Sequence, residues 1–429
     1  MQKSFQNDQE KQKNINKIKE LIMDNKTYLV YISINNVDTL VGHLMSQVKG
    51  KHEAAAFGYA QTWLSSPHSF SLTPLWPLGQ GMFFMNEDTK FSIFEDCAPD
   101  RWGKTLMKKY EREKAQQESR PAKTLTTIDY IMRVNDFARQ GALRFKETEN
   151  GEFLTTNTDN AVPPLVKLPA LLHAAEAVMD NADTDNDLAL LLDPGSSLGG
   201  ARPKATVIDD DGDLCIAKFP KKDDTTHVVA WEAVALELAK QCKLNVPKFE
   251  LKNIIGKDVL IIKRFDRQGK NRIPFASAMT MLGATDNSSR TYNYTEIADF
   301  LTQYGVDPNQ DLRELWMRIL FSVLISNTDD HLRNHGFLHK GKGWALSPVY
   351  DVNPNIDRTD MLHTAIAEDN NDATIENALR YAEYFRITNT EATNIANSMI
   401  TVVKNWQTIA KRYGLPQSEI NRMAPAFKV

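Results

Sequence analysis

The stretch from Lys204 to Gln241 constrains the fold more than any other part of the chain. KATVIDD and LCIAKFP alternate apolar and polar residues with period two, and the DDGD between them is turn chemistry, so the pair is expected to form a β-hairpin. VVAWEAVALELAKQCKL follows as a strong amphipathic helix with Trp231, Ala235, Leu238 and Ala239 on one side. The alternation puts Lys218 on the same face as Ile216. A lysine on an apolar face must escape it or find an anion. Glu232 and Glu237 in the helix both qualify, and the sequence does not choose between them. Standing alone, Lys218 reads more plainly as a surface lysine on an edge strand.

Upstream, residues 1–26 are a polar extension. TYLVYISINNVDTLVGHL alternates as a hairpin with NNVD at its turn, and FGYAQTWLSSPHSFSLTPLWPL suggests short strands and turns. PDRWGKTLMKKYEREKAQQ reads as a helix opening near Asp100 and stopped by SRPAK. A second helix is expected around TTIDYIMRV and a strand at GALRFK, closing a first module at 27–150. In 151–270, PALLHAAEAVM ends as a helix, and the Asp-, Asn- and Gly-rich NADTDNDLALLLDPGSSLGG reads as loop around a short apolar run. KDVLIIKRFDR is strand-like. The remainder, 271–429, is mostly helical.

Composition narrows the classes. The 429 residues are 42% hydrophobic and 25% charged, as in a soluble globular chain. A net charge of −4 and a pI near 6.2 give no global attraction to nucleic acid or membrane. MKKYEREK is the one basic patch, and a solvated helix face explains it. No apolar run approaches membrane-spanning length, and the N-terminus has no signal-peptide core. Cys97, Cys215 and Cys242 are scattered, which argues against a disulfide framework or a structural zinc site and for a cytoplasmic location.

Three segments carry chemistry. In PGSSLGGARPKATV, Gly195, Gly199 and Gly200 allow close backbone approach to a ligand, and successive amides in such a turn can hold phosphate oxygens. The string fits neither common glycine fingerprint, and a tight connection would also explain it. Its order, glycine loop, strand lysine, helix glutamate, is the protein-kinase arrangement. LIIKRFDR can then pass along a nucleotide base, with main-chain groups reading its edge and Phe265 adding apolar surface. NTDDHLRNHGF and LSPVYDVNPN supply the rest. Asp329 and Asn334 have the (i, i+5) spacing with which kinases divide acceptor and magnesium contacts, and Asp351 offers an anionic metal contact. Asp330 is the alternative to Asp329. There is no HRD or DFG string. His331, His335 and His339 would align on a helix as a transition-metal site, but Gly336 and the turn-like NTDDHLRN argue against one.

Taken in order, SSLGGARPKATV, LCIAKFP, LIIKRFDR, NTDDHLRNHGFL and LSPVYDVNP resemble the HipA family of bacterial serine/threonine kinase toxins, as do FEDCAPDRWG and RQGALRF upstream. The resemblance covers roughly residues 27–400. It implies an α+β, protein-kinase-related fold. A small, mostly β N-terminal subdomain and a nucleotide-binding β region would precede a large, mostly helical C-terminal lobe. It further implies ATP and Mg2+ as cofactors, Asp329 as the catalytic aspartate, and Asn334 and Asp351 as magnesium ligands. Lys218 would contact phosphate, Gly199, Gly200 and Ala201 would line the glycine loop, and Lys263 and Phe265 the hinge. Ser197, with Ser196 as the adjacent alternative, matches the family's regulatory autophosphorylation site. The loop reads SLGGARPK where some members have an AGAQEK-like string. Family partners are a HipB-like helix-turn-helix antitoxin, through which alone DNA is contacted, and substrates such as aminoacyl-tRNA synthetases. A catalytically quiet nucleotide- or antitoxin-binding protein and a small-molecule kinase are the alternatives.

Overall fold

The computed structural model describes residues 26–49, 52–85, 91–156, 162–192, 200–285, 292–357, 360–368 and 370–429. The first sheet contains β1 (Lys26–Ile34), β2 (Val37–Lys49), β3 (His52–Tyr59), β4 (Phe83–Met85) and β5 (Leu143–Lys146), in the order β4-β3-β2-β1-β5. Asn35 and Asn36 turn β1 into β2 with φ of 52° and 60°, the left-handed pair that suits the twist of a two-residue hairpin. Val30, Ile32, Phe57 and Phe145 enter a core where Trp76 stacks on Phe57 at 5.4 Å. The expected run of short strands after Phe57 is broken by a one-turn helix, Gln61–Leu64, whose Trp63 is buried.

Asp100 caps the helix Arg101–Gln117 by accepting from the Gly103 N–H at 2.8 Å. Within its basic run Lys109 reaches Asp183 at 2.6 Å, and Glu111 receives Arg120 from beyond the helix at 2.6 Å. Thr126 and Asp129 form a capping box for Thr127–Met132. The acidic stretch expected to be loop contains a helix instead, Asp185–Leu192. The polar residues that suggested a loop are its cap, for Thr184 and Asp187 exchange hydrogen bonds at 2.9 and 3.3 Å, while Leu188 and Leu191 are buried beyond them.

The second sheet is antiparallel, in the order β6-β7-β9-β8, built from β6 (Lys204–Ile208), β7 (Leu214–Lys218), β8 (Phe249–Ile254) and β9 (Lys257–Lys263). One face, with Ala205, Val207, Cys215, Ala217 and Ile261, packs with Trp102 and Leu106 and with the helix Leu168–Met179. Across the other lies the helix Val228–Gln241. This helix is not amphipathic in its setting. Every residue from Val229 to Leu236 is buried, because Trp406 and Phe427 cover the side away from the sheet, 6.1 and 6.2 Å from Trp231.

A short hairpin, β10 (Arg267–Gln268) and β11 (Asn271–Arg272), leads to a three-stranded sheet of β12 (Phe275–Ser277), β13 (Gly336–His339) and β14 (Trp344–Leu346). Helices Tyr294–Tyr304 and Pro308–Leu324 pack on β14, and Ile375–Arg380, Asn389–Val403, Trp406–Arg412 and Gln417–Met423 complete the helical part. No helix of the described residues is long and apolar enough to cross a membrane.

The strings RFDR and RQGALRF meet in a buried ionic clasp. Asp266 accepts from Arg264 at 2.7 and 2.9 Å, from Arg267 at 2.7 Å and from the Gly141 N–H at 2.7 Å. Arg264 and Arg267 also donate to the Ala138 and Arg139 carbonyls, each at 2.6 Å. Gly141 holds φ at 72°, and a Cβ there would lie 3.3 Å from the Phe275 amide nitrogen. Gly141→Ala is therefore expected to cost about 1–2 kcal/mol of unfolding free energy for the left-handed backbone alone, read by denaturant titration.

Candidate active site

Lys218 ends β7, facing the helix Val228–Gln241. Its ammonium lies 2.6 Å from Glu232 Oε1 and 3.1 Å from Asp351 Oδ1, so a strand, a helix and a loop meet at one charge. The structure chooses Glu232; Glu237 pairs with Arg412 at 3.0 Å. Lys218 and Glu232 are both buried, and a buried charge without a partner would be costly. Burial disfavours the Lys218 ammonium, but Asp351 and Glu232 outweigh it and hold its pKa above the ordinary lysine value. Burial likewise opposes ionisation of Asp351, yet Lys218 and then Lys204 bring its carboxyl down to about 2. Glu232 is pushed upward by burial, against the pull of Lys218. Asp351 adopts φ of 57°, a left-handed conformation that aspartate tolerates better than most residues.

Lys204 was not singled out in the sequence, although the same alternation could have found it. It pairs in register with Lys218 across β6 and β7, and residues directly opposite share a face. Its ammonium is 2.9 Å from Asp100 Oδ2, and its carbonyl accepts the Trp102 indole N–H at 3.1 Å.

The apolar helix Pro308–Leu324 ends just before Ser326, whose φ of 49° turns the chain into NTDDHLRN. The two aspartates divide sharply here. Asp330 is buried and accepts from the Tyr294 hydroxyl at 2.5 Å and the Ser322 hydroxyl at 3.3 Å. His335 Nε2 stands 3.1 Å from its other oxygen, and Thr364 donates to its carbonyl at 2.7 Å. Asp329 is exposed, and its carbonyl receives the His331 N–H at 2.9 Å and the Asn334 Nδ2 at 3.4 Å. Asp330 thus anchors the loop and leaves the Asp329 carboxylate facing solvent.

Bonds from the following segment fasten this loop beside Asp351. Tyr350 donates its hydroxyl to the Arg333 carbonyl at 2.6 Å, and the Asn353 N–H donates to Asn327 Oδ1 at 3.1 Å. The Asn355 N–H reaches the Ser326 carbonyl at 3.1 Å, and His363 N–H the Thr328 carbonyl at 2.9 Å. Asn334 and Asp351 are therefore carried on adjoining segments. Asn334 Oδ1 is buried with no protein partner, which native structures rarely tolerate. A buried amide oxygen left without a protein partner is a hard donor of the kind a divalent cation such as magnesium takes, and Asp351 on the adjoining segment is held ionised.

The histidines do not converge. His339 stacks on Phe70 at 3.6 Å, with burial lowering its pKa to about 4, while His335 sits edge-on to Tyr294 and His331 to His363. Among the described residues, the one cluster spaced for a shared ion is Asp209, Asp211 and Asp213. It lies in the β6–β7 turn, where Asp209 accepts from the Asp211 and Asp213 amides and Lys263 pairs with Asp213.

Lys263 closes β9 opposite Cys215, three register steps from the Leu260 that faces Lys218, or roughly 10 Å along the strand. Its side chain is committed to Asp213, so a ligand at this end meets its main chain. Phe265 lies 5.6 Å from the Tyr350 ring and 6.2 Å from Phe275, next to the Asp351 segment. Gly200 holds φ of 92°, and Ala201 is exposed. Gly199 and Ser197, with Gly195 and Ser196, lie outside the described residues.

Residues 196–407 match the family model of the HipA-like C-terminal domain. A Haemophilus influenzae protein named as a predicted kinase is 26% identical over 183 residues, covering 37% of this chain and 52% of that protein. The predicted kinase Y4mE of Sinorhizobium fredii is 24% identical over 180 residues, covering 36% of this chain and 41% of that protein. The chain thus spans about half the length, or less, of these curated relatives. A chain from the solved Shewanella oneidensis MR-1 toxin–antitoxin complex of HipA, HipB and operator DNA superposes with a TM-score of 0.64. It is 16% identical, and the superposition covers 92% of this chain and 94% of that one. The protein accordingly has the mixed α+β HipA-like kinase fold, and the similarity to the HipA-like C-terminal domain lies in residues 196–407.

Proposed function

We propose that this protein is an ATP-dependent serine/threonine kinase of the HipA type, acting as a toxin. The observation that carries the reading is the Lys218 ammonium held between Glu232 at 2.6 Å and Asp351 at 3.1 Å, the lysine–glutamate–metal-aspartate constellation of phosphoryl transfer. In this reading Lys218 binds nucleotide phosphate and the exposed Asp329 accepts the proton of the attacking hydroxyl. Asn334 and Asp351 hold magnesium, which when bound neutralises charge on the phosphates. The base lies toward Phe265 and the Lys263 main chain, with Gly199, Gly200 and Ala201 closing over the phosphates.

Ser197 is the proposed autophosphorylation site. A phosphate there adds about −1.5 to −2 charge, enough to upset a neighbouring anion-binding loop. The likeness to a chain solved with HipB and operator DNA supports a helix-turn-helix antitoxin as partner, with DNA contacted through it. The substrate is proposed to be a translation-related protein such as an aminoacyl-tRNA synthetase. Incubation of unphosphorylated protein with Mg2+ and ATP, followed by intact mass and peptide mapping, tests the chemistry. One added phosphate, located at Ser197 and lost in Ser197→Ala, is expected. A protein that binds ATP yet modifies neither itself nor any protein in a cell extract would support the quiet binding protein instead.

A further inference from the structure

The N-terminal part of the chain reaches into the nucleotide sheet through one corner of the helix Arg101–Gln117. Asp100 uses Oδ1 to cap that helix and Oδ2 to hold the Lys204 ammonium at 2.9 Å. Two residues on, Trp102 donates its indole N–H to the Lys204 carbonyl. Lys204 is thus gripped at both main chain and side chain by residues outside the 196–407 match. The ion pair is sealed, its side chains only 4% and 5% exposed.

The register makes this grip necessary. Lys204 and Lys218 stand directly opposite on one face, and like charges so placed repel. Lys204 is held by Asp100, and Lys218 by Glu232 and Asp351. Lys204 also opens the strand that leaves the glycine loop: a Cβ added to Gly200 would sit 3.2 Å from its ammonium. Asp100 offsets the repulsion between the two ammonium groups at the Lys204 end. With Asp100, the Lys204 ammonium is held on the Lys218 face where the loop meets the sheet, so a phosphate entering there meets both cations.

We infer that Asp100 is a positioning residue for nucleotide phosphates, fixing Lys204 beside Lys218 and so making the N-terminal part of the chain a determinant of nucleotide affinity. This rests on the kinase reading. The effect is confined to phosphorylated ligands, because adenosine presents nothing to the two lysines. Calorimetric titration of the full chain with Mg-ATP and, separately, with adenosine tests it in the parent, Asp100→Asn, Lys204→Met and the double variant.

Asparagine keeps the helix cap while removing the charge. Melting curves run in parallel report the fold. Asp100→Asn is expected to weaken Mg-ATP about tenfold, the scale of one charged hydrogen bond, and to move adenosine by less than about twofold. In the Lys204→Met background the same change should add nothing further. Equal losses for ATP and adenosine would reduce Asp100 to a structural role. Unchanged or tighter ATP binding, or additive losses in the double variant, would overturn the inference outright. A parent that binds neither ligand would overturn the kinase reading and this inference with it.

Discussion

Asp329→Ala is expected to slow phosphoryl transfer by roughly 10²–10⁴-fold, the usual contribution of a positioned proton acceptor, and to leave the melting temperature essentially unchanged. The second half of that expectation is the more discriminating. Asp329 is exposed, and the bonds that shape its loop use its carbonyl, which alanine retains. Asp330→Ala should behave in the opposite way. It strips acceptors from Tyr294 and Ser322 and removes the carboxylate beside His335, all in a buried setting. Leaving such donors unsatisfied costs about 1–3 kcal/mol each, so the protein should melt early whatever its residual activity. The rate of γ-phosphate incorporation beside a thermal melt separates the two. A stable, inactive Asp330 variant next to an active Asp329 variant would exchange their roles.

Asp266→Ala should destabilise the protein by about 3–5 kcal/mol, because it leaves Arg264 and Arg267 buried around a missing carboxylate. Asp266→Asn should fall between the two, since the amide oxygen still accepts from Gly141. Burial opposes ionisation of Asp266, but Arg264 and Arg267 outweigh it and hold its pKa well below the usual carboxylate range. A native pKa below the unfolded value means that the unfolded state binds the proton more readily. The stabilisation is therefore fully present above about pH 4 to 5 and is lost as pH falls toward the depressed native value. Urea unfolding of parent and Asp266→Asn should give a constant difference from pH 7 to about pH 5 that shrinks in stronger acid. A difference growing on acidification would show that the clasp is not held by an ionised Asp266.

Local chemistry made much of this fold legible. The turn at Asn35–Asn36, the cap at Asp100 and the β6–β7 hairpin depend on neighbours in sequence, and they stand where the pattern put them. The need of Lys218 for an anion followed from alternation, although the choice of Glu232 over Glu237 required the helix to be docked. What stayed hidden was long-range pairing. Lys204 and Asp100 are 104 positions apart, and Asp266 and Gly141 are 125 apart, so no periodicity connects them. RFDR read only as a strand passing a ligand, and nothing local showed that its charged residues also fasten the two parts of the chain together. The helix Asp185–Leu192 was missed because cap residues and loop residues are the same residue types.

The covering of the helix behind Lys218 has a consequence for biosynthesis. Trp231 shares that helix with Glu232 and packs against Trp406 and Phe427, two rings stacked 4.1 Å apart. A nascent chain holding Lys218, Asp329 and Asp351 outside the ribosome still lacks those rings until residue 427 has emerged. The helix that fixes the lysine then presents Trp231 to water, and the charge constellation has no rigid wall behind it. Completion of the scaffold thus waits on Phe427, well after the charged residues themselves have been made.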